Sequence, residues 1–306
     1  MFHFLLSILT VFSPKDSIIY AKLDDVAIAI DIPQTKNNKK LKPILVIYAL
    51  PNGNTTEQTM GRKMKEGDDW HFDIQHIRAQ TKFIRKKMPN RFVAVAYLEN
   101  SQKSWPAWKS AHAEDYKERV KRLMDYLNQS FPFDNTELYL NGHSGGGRFI
   151  FSFLDQVTGI PAYVKRISFL DSDYGYDSTY TGKLTHWLHK NDDAYLNVFA
   201  YNDSVALYNG KPIVSPTGGT WYRSHLMMRD LSTYFSFNQT RNDSIISYSA
   251  LNGRIQFFFK TNPDQKIYHT QQVELNGFIH SILCGTKLES KGYRYFDKRV
   301  YGELIE

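Results

Sequence analysis

Residues 138–147 read Leu-Tyr-Leu-Asn-Gly-His-Ser-Gly-Gly-Gly. Inside this stretch Gly142, His143, Ser144, Gly145 and Gly146 form a G-x-S-x-G pattern. An apolar strand pattern precedes it, and an amphipathic helix pattern with Phe149, Ile150, Phe153 and Leu154 follows it. That context gives the five residues meaning. A strand turning sharply into a helix holds its central residue in a strained backbone conformation and presents the side chain above the sheet edge. Glycines two before and two after the serine leave room for strand and helix to pack. The Gly145 N–H then lies at a helix N-terminus, where unpaired donors and the helix dipole favour an anion. An oxyanion is what forms when a serine attacks an acyl carbon. Ser144 is therefore read as a nucleophile. The plainer alternative is a glycine-rich turn whose serine only caps the helix. A phosphate loop requires Gly-Lys-Ser or Gly-Lys-Thr, and a dinucleotide loop requires G-x-G-x-x-G; neither is present.

Outward from this turn, short apolar runs alternate with amphipathic stretches. The runs are residues 17–21, 26–32, 44–49, 92–98, 138–141, 164–170, 196–200 and 255–259. From Ile44 onward they are solidly apolar, as strands buried on both faces of a parallel sheet are. Ile74, Ile77, Thr81, Ile84 and Met88 recur at helical spacing, as do Tyr116, Val120, Leu123 and Leu127, each with charged residues opposite. Strand and helix in alternation predict an α/β fold with a predominantly parallel central sheet flanked by helices. Residues 17–306 read as a single domain, with lid-like insertions at 174–192 and 202–252 that are rich in Gly, Ser, Tyr and Trp. Ligands in such folds bind beyond the carboxyl ends of the strands.

Composition narrows the remaining classes. The 306 residues carry 38 Lys and Arg against 31 Asp and Glu, a formal charge of +7, with 42% apolar residues. Those values exclude disorder, collagen and coiled coil. The single cysteine, Cys284, excludes an internal disulfide and a cysteine-cluster metal site. The one dense basic run, residues 36–42 (KNNKKLK), has no interleaved aromatics and reads as a solvated loop, so no nucleic-acid partner is expected. His186 and His189 with Asp192 and Asp193 match no strong zinc spacing, so no metal is expected. Residues 2–12 (FHFLLSILTVF) are too short to span a bilayer as a helix. They have the length of a signal-peptide core but lack a preceding Lys or Arg. Residues 1–16 thus read as an export signal or as a first strand, with a cytoplasmic location still open.

The turn at Ser144, with the order and spacing of the strands, resembles the α/β-hydrolase superfamily in its esterase and lipase-like branches. The resemblance implies a serine hydrolase that cleaves an ester or an amide through an acyl-enzyme, with no metal or cofactor. It also implies a triad in the chain order Ser, acid, His, and an oxyanion donor in the loop after the third strand. The substrate is expected to be a small-molecule or polymer-borne ester. Alternatives are a peptidase, a carbohydrate de-esterase acting on envelope polymers, and a non-catalytic binding protein on the same fold. GHSGGG also echoes the G-D-S-G-G of trypsin-like proteases, with His112 upstream. Those are double β-barrels, and His112 lies too near Ser144 in a helical context for that reading.

Within that frame Leu50-Pro51-Asn52-Gly53 occupies the oxyanion loop, so the donors are expected at Gly145 and at Asn52 or Gly53. The acid is expected at Asp203, after the run ending at Ala200, with Asp171 and Asp173 as alternatives after the run ending at Leu170. The base is expected at His280, just before a terminal helix, with His269 as the alternative. His143 is expected to pack or hydrogen-bond rather than react.

Overall fold

Strand β3, Lys42–Ala49, shows why the sheet lies between two layers. Successive side chains of a strand point to opposite faces. Leu45, Ile47 and Ala49 enter one core with Leu98, Phe149 and Ile150. Ile44, Val46 and Tyr48 enter a second with Ile77, Ile84 and Phe278. Every residue from Ile44 to Ala49 is fully buried, which is what a run without polar alternation requires.

The computed structural model describes residues 18–33 and 41–306. Residues 1–16 and most of the 36–42 basic run lie outside the described residues. The other strands are β1 (Ile18–Leu23), β2 (Val26–Asp31), β4 (Arg91–Asn100), β5 (Glu137–His143), β6 (Val164–Leu170), β7 (Tyr195–Tyr201), β8 (Leu207–Tyr208), β9 (Lys211–Pro212), β10 (Asn238–Asn242), β11 (Ile245–Ala250) and β12 (Ile255–Lys260). The main sheet has ten strands in the order β1-β2-β4-β3-β5-β6-β7-β12-β11-β10. From β4 to β12 the pairs are parallel. The two strands at each edge are joined antiparallel, and β8 pairs with β9 separately.

The helices are α1 (Thr56–Met60), α2 (Ile77–Lys87), α3 (Trp105–Ala111), α4 (Tyr116–Ser130), α5 (Gly147–Gln156), α6 (Thr181–Lys190), α7 (Thr220–Leu231), α8 (Gln271–Glu274) and α9 (Gly277–Leu283). The apolar sides of α3 to α7 cover one face through Trp108, Leu123, Phe153, Trp187 and Met227. Those of α1, α2, α8 and α9 cover the other through Met60, Ile84, Val273 and Ile282. Among the described residues no helix is long and apolar enough to cross a membrane.

This is the α/β architecture expected from the alternating runs. The segments read as insertions fold mainly into α6, α7 and the β10–β11 pair. Strand β10 was invisible to pattern reading because all five of its residues, Asn-Gln-Thr-Arg-Asn, are polar and exposed. An edge strand with no buried face has no alternation to show.

Candidate active site

Ser144 sits at the junction of β5 and α5 with φ at 55°, in the left-handed region that a non-glycine residue enters only at a cost of about 1–2 kcal/mol. One turn of 3₁₀ helix, Ser144–Gly146, leads into α5. The surrounding glycines are required by contact. A Cβ on Gly146 would stand 2.1 Å from the Ala49 carbonyl oxygen, and one on Gly147 would stand 1.8 Å from the Ser172 carbonyl oxygen. The second clash is informative, because the Ser172 hydroxyl also donates to the Gly142 carbonyl at 2.8 Å. The loop after β6 is thereby clamped against the turn after β5. Overpacking of this kind costs about 1–3 kcal/mol, so Gly147→Ala is expected to lower stability by about 3 kcal/mol in a urea melt. It is also expected to displace the loop that carries Asp171.

That loop brings an acid to a base. The Asp171 carboxylate, wholly buried, accepts through Oδ2 from Nδ1 of His269, whose side chain keeps 24% of its exposure. His269 lies in the loop between β12 and α8. Its ring centroid is 4.5 Å from that of His143, the residue before Ser144, and His143 Nε2 donates to the His269 carbonyl at 3.1 Å. Burial, with a smaller contribution from His269, holds His143 well below the usual imidazole range. His143 is thus a neutral donor that ties the His269 loop to the turn at Ser144. Ser144 itself is half-buried. With Nδ1 committed to Asp171, Nε2 is the ring nitrogen of His269 left to act.

The residues expected first for the acid and base stand elsewhere. His280, in α9, bonds through Nδ1 to the Tyr293 hydroxyl at 3.0 Å. Its ring stacks on Tyr295 and meets Phe199 and Phe258 edge-on. Burial pushes its pKa down to about 3, so it is a neutral member of an aromatic core. The structure brings it neither to Ser144 nor to Asp203. Asp203 accepts instead from the backbone N–H of Thr220 at 2.7 Å and of Trp221 at 3.3 Å, at the start of α7. Asp173 accepts from the Ser224 hydroxyl at 2.9 Å, and burial holds it well above the ordinary carboxylate range.

Burial, with the charge of Asp171 adding, raises Asp203 to about 6. A carboxyl whose folded pKa lies above its unfolded value stabilises the fold fully below the unfolded pKa. That stability is lost as the pH rises through the folded value. At 1.36 kcal/mol per unit, the ionised form at neutral pH costs roughly 2–3 kcal/mol. Asp203→Asn is therefore expected to raise the melting temperature at pH 7.5, and to raise it less or not at all at pH 4.5.

On the oxyanion side, the Asn52 side chain touches the Gly145 backbone: a Cβ there would stand 1.9 Å from Asn52 Oδ1. The Gly53 N–H is already spent on the Lys103 carbonyl at 2.8 Å. Of the two residues expected in this loop, Asn52 is thus the one that reaches Gly145, through its side chain. His112 ends α3 and contacts Asp25 at 3.1 Å. Trp221 packs its ring against His225 and Phe259.

No protein-family model matches the chain, and no curated protein sequence does. Solved structures do. A feruloyl esterase module from Clostridium thermocellum, complexed with sinapinate, matches with a TM-score of 0.51 at 10% identity over 90% of each chain. A thermostable esterase matches with a TM-score of 0.50 at 11% identity over 88% of this chain. This chain spans 63% of that esterase's length. With the strand order and the turn at Ser144, these likenesses give the chain the α/β-hydrolase fold.

Proposed function

We propose that this chain is a serine hydrolase acting on carboxylic esters, with Ser144 as nucleophile, His269 as base and Asp171 as acid. The observation that carries the reading is the Asp171–His269 pair, held beside the left-handed serine turn by two clamps. A serine hydroxyl is a weak nucleophile until a base takes its proton. In this account Ser144 Oγ attacks the acyl carbon as its proton passes to His269 Nε2. Asp171 fixes the tautomer that carries a proton on Nδ1 and stabilises the imidazolium as it forms. The N–H groups of Gly145 and Asn52 receive the oxyanion, each worth roughly 3 kcal/mol of barrier. His269 then returns the proton to the leaving alkoxide, and an acyl-enzyme remains on Ser144. Water enters by the reverse sequence and releases the acid.

Turnover of p-nitrophenyl acetate by the wild type, lost in Ser144→Ala, supports the proposal; a folded wild type that turns over no ester in a panel of simple and acetylated-sugar esters overturns it. The same panel, extended with peptides, separates ester from amide cleavage.

A further inference from the structure

The acid of the proposed triad is wholly buried, and a buried carboxylate persists as an anion only when donors satisfy it. One oxygen of Asp171 is satisfied by His269. The other, Oδ1, accepts from the Thr220 hydroxyl at the first residue of α7. Thr220 is itself fully buried, and its Oγ1 also lies 3.3 Å from Asp203 Oδ2. A hydroxyl carries one proton and so can donate to only one carboxylate at a time. Asp203 takes the Thr220 backbone N–H instead, at 2.7 Å. It can approach this closely because residue 219 is glycine: a Cβ there would stand 2.3 Å from both Asp203 oxygens. Asp203 thus anchors the start of α7 through the backbone and leaves the Thr220 hydroxyl proton for Asp171.

We propose that Thr220 is the positioning residue for the triad acid, its hydroxyl orienting Asp171 toward His269, and that Asp203 is the anchor that aims that hydroxyl. The inference rests on the proposed serine-hydrolase reading and deepens it. The site after β7, where sequence order places the acid, holds the partner of an acid placed after β6. The titratable groups facing Thr220 and Asp203 are Asp171, Asp173 and Tyr174 from the loop after β6, and Tyr201 at the end of β7. His269 stands across Asp171. When Asp203 is protonated, its proton can point at Thr220 Oγ1 and reinforce donation to Asp171. When it is ionised it competes for the same hydroxyl proton. Protonation raised to about 6 by burial fits the first arrangement over the acid part of the pH range.

The test compares Thr220→Val, which keeps the shape and removes the donor, with Thr220→Ser, which restores it, and Asp203→Asn, whose one amide oxygen can keep the Thr220 N–H. Two quantities are read in the full-length protein. The first is the downfield proton resonance of His269 Nδ1–H, assigned by its loss in His269→Gln. The second is kcat/KM for p-nitrophenyl acetate as a function of pH. The expected result is a resonance present in wild type, Thr220→Ser and Asp203→Asn and lost by exchange in Thr220→Val. With it, kcat/KM falls about 10- to 100-fold in Thr220→Val, the range for losing a hydrogen bond to a charged group. Its basic limb shifts, and Thr220→Ser restores both. Should Thr220→Val fail to fold by circular dichroism, Thr220→Cys, with a similar size and a weak donor, carries the same comparison. A valine or cysteine variant that keeps the resonance and the pH profile overturns the role of Thr220 alone. A wild type with no His269-dependent resonance overturns the Asp171–His269 pair, and with it both this inference and the proposed function.

Discussion

Ser144→Ala lowers kcat for an activated ester by about a millionfold, the scale seen when a nucleophile that acts with a base is removed. The expectation follows from the local geometry. Only residue 144 stands at the left-handed junction of β5 and α5. Its neighbours are glycines that the Ala49 and Ser172 carbonyls leave no room to replace. Since Ser144 is half-buried and alanine bears the same backbone strain at that position, the variant is expected to fold with stability close to that of the wild type. Comparison of kcat and of the melting temperature in the two proteins checks both halves of the statement. A variant within tenfold of wild type would show that the ester is cleaved elsewhere.

The second large effect separates the two acids. Asp171→Asn is expected to lower kcat by about 10⁴-fold. An amide in that place would favour the wrong imidazole tautomer and could not stabilise the imidazolium. Asp203→Asn keeps one acceptor oxygen, enough for the shorter bond from the Thr220 N–H, and is expected to cost no more than about tenfold. Steady-state rates of the two variants at pH 7.5 decide the matter, and the reverse order would return the acid to the position after β7.

How far the sequence carries the fold and the site depends on the range over which each signal acts. The turn at Ser144 is local: strand, glycines and helix lie within about twenty residues, and the same residues that make the pattern make the contacts. The buried strands are legible because both of their faces are covered, which leaves unbroken apolar runs such as residues 44–49. The base is different. His269 and His280 both follow β12, and chain order cannot rank them. His280 lies within α9, whose apolar side faces the sheet, and that side buries the imidazole among Phe199, Phe258 and Tyr295. His269 lies in a polar loop with no periodicity, yet that loop crosses the carboxyl ends of the strands. The acid was ambiguous for a related reason. Asp171 and Asp203 follow neighbouring strands, β6 and β7, and only the path of the His269 loop shows which of them meets that imidazole. The Thr220 hydroxyl had no sequence signal at all, since it reaches Asp171 from 49 residues away.

The loop after β3 divides in the same way. Its place at the carboxyl end of that strand was legible, but which of its N–H groups is free was not. Lys103, in the loop after β4, claims the Gly53 amide, and that pairing belongs to the tertiary fold.

The most direct measurement of the central claim, that His269 rather than His280 activates Ser144, is the rate constant for labelling of Ser144 by a fluorophosphonate, with the adduct mapped by peptide mass. His269→Gln is expected to label at least about a thousandfold more slowly than wild type, and His280→Gln within about tenfold of it. Fast labelling of Ser144 in His269→Gln, with the reaction lost in a folded His280→Gln, would contradict the account.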